Sequence, residues 1–425
     1  MTDCSTQTDP ADIQDLDTSQ LIGSTDYTVD WLLEYLAKHV PKFRALKMQG
    51  KVINVLTEDI GKNHGCLSHV YLISIAFENV KDKYEFAWKV PKVETINEMA
   101  GMDPEQKKQI KLKEKTIGAI HNRECDFYQS FASELPIPFP RIHNFNKWIG
   151  DEKHGFIIME SFYGKAKSFP ISSGATPQQL FELAKNLARF HAYFLHTSGD
   201  KWRGQYGTET LEPMAKNDFF TPAFKKLREA KPGVFDKAID NLGPHAKNYK
   251  FIMYTLCGVH KDLGLPPVLT HGDMWTNNVL WKLAPDGSIS NKLAAIIDWQ
   301  MVHEGCMTND LAGFMAMSVD AEVRREFQFE VLQVYYDTIL EVMADRGQEV
   351  DFTFDQVKQA YKTNFVTQAM TIMTMGPFFF RDLKPDQPGY KIKEAQLEKV
   401  FLRARYAAED ALEYFEELRL DKVFE

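Results

Sequence analysis

The sequence predicts an α+β chain in two lobes, a small β-rich lobe followed by a larger, mostly helical one. Residues 51–92 hold three β-rich runs broken by turn-forming clusters. Residues 177–420 instead hold stretches of helical composition. The change falls near Gly164, just after a short apolar strand over 155–160. At 425 residues the chain is long enough for one bilobal molecule or for two to three domains, and 44% hydrophobic with 12% aromatic content excludes wholesale disorder. The expected division is a polar tail over 1–26, a first lobe over 27–164 and a second over 165–425.

Residues 1–24 are rich in Asp, Ser and Thr, show little periodicity and read as a mobile tail. From Tyr27 the spacing of Val29, Leu32, Leu33, Leu36 and Val40 predicts a helix, with Thr28 or Asp30 as its cap. Strands are expected over 52–56, 69–76 and 84–90, separated by a glycine turn at 61–65 and a polar turn at 78–82. A charged helix follows over 104–131, and its Lys107, Lys108, Lys111, Lys113 and Lys115 read as a solvated face. Pro136, Pro138 and Pro140 end it. Beyond the strand at 155–160, helices are expected over 177–196, 219–230, 243–260, 321–346, 354–373 and 393–420.

A net charge of −9 argues against a general binder of nucleic acid or anionic membrane. The five cysteines are scattered and contain no CxxC pair, which reads as reduced thiols. No apolar run approaches the roughly 18 residues of a membrane span. No Lys or Arg precedes Lys38, so a secretory leader is not expected and the chain reads as cytoplasmic. Neither HExxH nor GxSxG occurs.

Residues 270–310 carry the chemistry. His271, Gly272, Asp273 and Asn278 lie on one short loop, and Asp298 follows an apolar run over 293–297. That set suits phosphoryl transfer from a magnesium nucleotide. Asp273 would take the proton of an acceptor hydroxyl, while Asn278 and Asp298 supply the hard oxygen ligands that Mg²⁺ requires. His271 is expected to pack within the loop, and Asp310 to be structural. ATP needs a cation on a central strand, and Lys89, within the apolar run 86–90, is the candidate. Its partner is expected from the next helix: Glu124 first, Glu114 second. The turn at 61–68, with Ser68, would cover phosphates. Residues 159–162, including Glu160 and Phe162, would form the hinge that meets adenine through main-chain bonds. Trp275 and Trp299 read equally as core or as walls of an acceptor pocket. Phe378, Phe379 and Phe380 read mainly as packing beside a turn.

The phrases H-G-D-x-W-x-x-N, I-I-D-W-Q, Leu187-Ala188-Arg189-Phe190-His191-Ala192 and Arg123-Glu124-x-x-Phe127-Tyr128 together resemble the ecdysteroid-kinase-like (CHK-like) family, especially its nematode branch. That family lies within the aminoglycoside phosphotransferase and choline kinase superfamily. The resemblance covers residues 27–414. It implies a bilobal protein-kinase-like fold and ATP- and Mg²⁺-dependent phosphorylation of a hydroxyl on a small acceptor of sterol, glycoside or amino-alcohol type. It carries over Asp273, Asn278 and Asp298, and it makes Asp310 a brace of the catalytic loop. A choline- or ethanolamine-type kinase and an inactive kinase-like binding protein are the alternatives. A protein kinase is disfavoured, since Gly272 replaces the Arg of HRD and Asp298-Trp299-Gln300 stands for DFG.

Overall fold

A sheet whose central strands are buried on both faces shapes the first lobe. The structure, a computed structural model, describes residues 16–61, 67–92, 114–149 and 155–423. The expected glycine turn, the lysine-rich start of the charged helix, the Glu114 side chain and residues 1–15 therefore fall largely or wholly outside the description. Helices α1 (Val29–His39) and α2 (Pro41–Lys47) precede strands β1 (Val52–Asp59), β2 (Ser68–Phe77) and β3 (Tyr84–Pro91). Helix α3 (Glu114–Phe131) and strands β4 (Ile142–Asn146) and β5 (Phe156–Met159) complete the lobe. The five strands form one antiparallel sheet in the order β1-β2-β3-β5-β4.

Successive strand residues point to opposite faces, and both faces of β3 and β5 are covered. Phe86, Trp88, Val90, Phe156 and Ile158 join Leu32 and Leu36 of α1 in one core. Ala87, Ile157 and Met159 join Phe127 and Tyr128 of α3 in the core that continues through the helical lobe.

The second lobe begins with β6 (Ala166–Lys167) and α4 (Pro177–His196), which starts at a reciprocal Thr176–Gln179 capping box. Helices α5 (Glu212–Lys216), α6 (Phe220–Ala230), α7 (Asp236–Ala246) and α8 (Tyr249–Met253) follow, and a π-helical turn, Tyr254–Gly258, continues α8. Strands β7 (Val268–Thr270), β8 (Val279–Leu283), β9 (Ile289–Ile296) and β10 (His303–Gly305) then form two small antiparallel sheets, β6-β8-β9 and β10-β7. Helices α9 (Asn309–Ser318), α10 (Ala321–Ala344), α11 (Phe354–Phe379) and α12 (Tyr390–Glu417) close the lobe. Every residue of α9 is buried, as its apolar Leu-Ala-Gly-Phe-Met-Ala-Met run demands. No helix among the described residues is long and apolar enough to cross a membrane.

The two-lobed α+β architecture is the expected one, but part of the expected mobile tail is packed. Ile22 is 1% exposed within the core of α1 and the sheet, Leu21 bridges Thr28, and Ser24 N donates to the Tyr71 hydroxyl at 2.9 Å. A single apolar residue seated in a turn leaves no period in the sequence, so its burial goes unseen there.

Candidate active site

Strand β3 pairs with β2 and β5 on either side, which places Lys89 opposite Val70 and Ile157 in the middle of the sheet. Lys89 is 5% exposed, and its Nζ donates to Glu124 Oε2 and to Asp298 Oδ1, both at 2.6 Å. A buried ammonium persists only with such partners. Burial alone would lower its pKa, but the Asp298 and Glu124 carboxylates outweigh burial and hold it above the ordinary lysine value. The same excess of negative charge acts on the partner. Burial, and Asp298 with it, push the Glu124 carboxyl up against the pull of Lys89. The Tyr128 hydroxyl donates to the other Glu124 oxygen at 2.8 Å.

The loop after β7 is held from behind by one carboxylate. Asp310, in the first turn of α9, accepts from His271 N at 2.6 Å and from Gly272 N at 2.9 Å. Burial opposes its charge, yet His191, His271 and the Gly272 N–H prevail and keep the carboxyl below its ordinary range. Asp310 thus braces the loop and is no simple helix cap. The ring of His271 accepts from Asp273 N at Nδ1 (3.2 Å) and donates from Nε2 to Ile297 O (2.9 Å). One nitrogen is spent inside the loop and the other ties the loop to the end of β9.

Asp273 and Asn278 face each other at the loop's open side. Asn278 Nδ2 donates to Asp273 O at 2.8 Å and to Asp273 Oδ2 at 2.9 Å. Burial and then the neighbouring Asp298 charge raise the Asp273 carboxyl, partly offset by His271, Asn278 and Trp275. The Asn278 carbonyl accepts from Ile297 N at 3.0 Å, which sets Asn278 beside the strand end that bears Asp298. Asp298 itself adopts a left-handed backbone, φ 67° and ψ 60°, uncommon for any residue but glycine.

The donors fit a magnesium ion. Among the described residues Asp298 Oδ2 accepts only a long contact from Gln300 Nε2 at 3.4 Å and Asn278 Oδ1 accepts no hydrogen bond. Two hard oxygens from protein are what Mg²⁺ takes when phosphates and water complete its shell.

The structure therefore brings Lys89, Glu124, Asp298, Asp273 and Asn278 together, with His271 and Asp310 behind them. Ser68 lies opposite Pro91, two positions along β2 from the Val70–Lys89 pair and so on the same sheet face as Lys89. In the segment expected to be the hinge, Glu160 N donates to Arg141 O at 2.8 Å and Phe162 O accepts from Lys165 N and Ala166 N at 2.9 Å. The Glu160 carbonyl and the Phe162 N–H are left without hydrogen bonds among the described residues. Trp299 is fully buried, stacked on Phe127 with centroids 4.6 Å apart, and belongs to the core. Trp275 is 9% exposed and packs 5.6 Å from Phe379, which is half-buried like Phe378 and Phe380. Two participants stand in the sequence only within the Arg123-Glu124-x-x-Phe127-Tyr128 phrase, with no role assigned: the Tyr128 hydroxyl bonds Glu124 one helical turn away, and the Arg123 guanidinium reaches Val302 O, 179 positions along the chain.

Comparisons with known proteins give one family and several relatives. The sequence model of the DUF1679 family, described as "Uncharacterized oxidoreductase dhs-27", matches residues 53–417. The Caenorhabditis elegans protein of that name is 25% identical over 357 residues, covering 82% of this chain and 42% of its own length. The C. elegans "Uncharacterized kinase-like protein D1044.1" is 26% identical over 350 residues, covering 78% of this chain and 86% of the relative. Among solved structures, a putative aminoglycoside phosphotransferase from Ralstonia eutropha aligns with a TM-score of 0.46 at 14% identity. That alignment covers 91% of this chain and 97% of the bacterial one.

Proposed function

The chain belongs to the DUF1679 family, and from its site geometry we propose that it is a small-molecule kinase of the CHK-like type, transferring the γ-phosphoryl group of ATP to a hydroxyl. The observation that carries this reading is the linked set Glu124–Lys89–Asp298, with Asp273 and Asn278 beside Asp298. A cation held between a helix and a strand end, next to a carboxylate–amide pair, is the equipment of phosphoryl transfer.

Asp273 faces the acceptor and takes its proton, a task suited to a carboxyl whose pKa is raised. Asn278 and Asp298 would hold Mg²⁺, which when bound neutralises charge on the phosphates. Lys89 would face the nucleotide phosphates, with Ser68 on the same sheet face, and Glu160 O and Phe162 N–H offer an acceptor and a donor to adenine. In this reading residues 27–164 bind nucleotide and residues 165–425 carry the catalytic loop and the acceptor site. Acceptors of sterol, glycoside or amino-alcohol type are the classes to try. The aromatic wall of buried Trp275 and half-buried Phe379 is compatible with a flat apolar ring and with the ammonium of a choline-like acceptor.

The oxidoreductase name of one relative is not carried to this chain, which spans 42% of that protein. Dinucleotide folds are built on parallel βαβ units, and the paired strands among the described residues are all antiparallel. A screen with γ-labelled ATP and Mg²⁺ against sterols, glycosides, nucleosides and amino alcohols tests the proposal. Mg²⁺-dependent label transfer to one class is the expected result. Failure to bind ATP with or without Mg²⁺ would overturn it, and binding without transfer to any acceptor would favour an inactive kinase-like binding protein.

A further inference from the structure

Helix α3 meets the segment that bears Asp298 through four side chains, at Arg123, Glu124, Phe127 and Tyr128. At about 100° per residue these positions fall within about 140° of one helix face. Each reaches the same short stretch. Glu124 holds Lys89, which holds Asp298. Phe127 stacks on Trp299 at an interplanar angle of 17°. Tyr128 bonds Glu124 and is reached by the Trp299 backbone. Arg123 Nη1 donates to Val302 O at 3.0 Å and to Gly207 O, and its Nη2 donates to Glu209 Oε2 at 2.8 Å. The face as a whole clasps the turn Trp299–Met301 that follows Asp298.

We infer that Arg123 is a positioning residue, which ties α3 to Val302 and so sets where the Asp298 carboxylate stands for the metal. The inference rests on the kinase reading of the site. Asp298 sits in an uncommon left-handed conformation, with Gln300 the only side chain besides Lys89 that bonds its carboxylate among the described residues. Its placement therefore depends on the segment that continues it. Val302 is the first residue after that turn, and Arg123 is its tether to the first lobe. The tether works through main-chain carbonyls. Its contact to Glu209 is of another kind, because that carboxylate is 73% exposed and such pairs contribute little. Both carbonyls are reached from Nη1 while Nη2 takes Glu209, so the planar guanidinium holds three acceptors in one fixed geometry that a flexible ammonium does not impose.

Nucleotide binding with and without metal separates this role from general damage. Purified wild type, Arg123→Met, Arg123→Lys and Glu209→Gln proteins are titrated with ATP in Mg²⁺ and with ATP in EDTA, and their melting temperatures are recorded. Losing a partner that orients a metal ligand costs on the order of 10–100-fold in metal affinity. Arg123→Met is therefore expected to lose about that factor in MgATP affinity and to keep its metal-free ATP affinity within about twofold. Arg123→Lys should fall between Arg123→Met and wild type, and Glu209→Gln should match wild type. A wild-type ratio of MgATP to ATP affinity in Arg123→Met overturns the inference, as does an equal loss with and without Mg²⁺. Should Arg123→Met not fold, Arg123→Lys decides alone: a reduced ratio supports the tether and a wild-type ratio overturns it. A wild-type protein with no gain from Mg²⁺ would fail the kinase reading itself and take the inference with it.

Discussion

Gly272 shows how one residue determines the shape of the catalytic loop. Its φ is +80°, and a Cβ there would meet Met301 O and come within 2.8 Å of His303 Nδ1. The position that is Arg in HRD loops has no room for a side chain in this one, and two of the backbone N–H groups around it are taken by Asp310. Asp273, one residue on, is a carboxylate held at a cost where it stands. Burial and the Asp298 charge raise its carboxyl above the ordinary value of 3.8, so the folded state holds its proton more tightly than the unfolded chain. Such a group contributes stability below its unfolded pKa and loses that contribution as pH rises through the folded pKa. Asp273→Asn should therefore melt higher than wild type at neutral pH, with the difference shrinking in acid. It should also keep ATP affinity and lose transfer by about 10²–10⁴-fold. Melting curves at several pH values, with a turnover assay, check both; an unchanged rate would remove Asp273 from the chemistry.

At the scale of elements, legibility follows the range of the interactions that form each one. The three strands before residue 92 and the helix Pro177–His196 are readable because β-rich runs between turn-forming clusters and a stretch of helical composition are local patterns. Helix α11 was expected to stop at 373 but runs through Pro377 to Phe379. Its final turn is held by contacts such as Phe379 on Trp275 and Gly376 against Phe401, which no local pattern announces. Strand β4 exists because β5 pairs with it. The single helix expected over 243–260 is instead α7, α8 and a π turn, whose freed Thr255 carbonyl is caught by Asn364 Nδ2 at 2.7 Å. The N-terminal segment gives the sharpest test at this scale. Removing residues 1–15 should leave stability and ATP binding unchanged. Removing residues 1–24 takes Ile22 out of a core and should cost about 1.5–3 kcal/mol for that side chain alone. Urea unfolding of the two truncations decides between them, and equal midpoints would show that the Ile22 turn adds nothing.

Across the whole molecule the lobes share an ion triad as well as a core. Lys89 and Glu124 belong to the sheet and helix of the first lobe, and Asp298 to the second. A boundary near Gly164 remains our proposal for where nucleotide and acceptor functions divide, yet Ala87, Ile157 and Met159 of the first lobe lie in the hydrophobic cluster of the second. The triad was legible residue by residue, since apolar neighbours marked Lys89 and the following helix offered Glu124. Its closure onto Asp298, 209 positions away, was not. Because the ammonium is the only positive member between two carboxylates, the three should behave as an energetic unit. Lys89→Met leaves Glu124, 1% exposed, as a buried carboxyl with Asp298 nearby and no cation. Breaking a buried pair in this way costs roughly 3–5 kcal/mol. With Lys89 gone, the upward push on Glu124 is no longer opposed by an ammonium, and its folded pKa lies above the unfolded one. The deficit of Lys89→Met should then be smallest in acid, below the ordinary glutamate value of 4.5, and should grow as pH rises through the folded value. Adding Glu124→Gln removes the stranded charge and should recover most of the loss at neutral pH. Denaturant titrations of both variants in acid and at neutral pH test this directly. A single variant as stable as wild type at neutral pH, or a double variant weaker than the single, would show that the triad is not the unit joining the lobes.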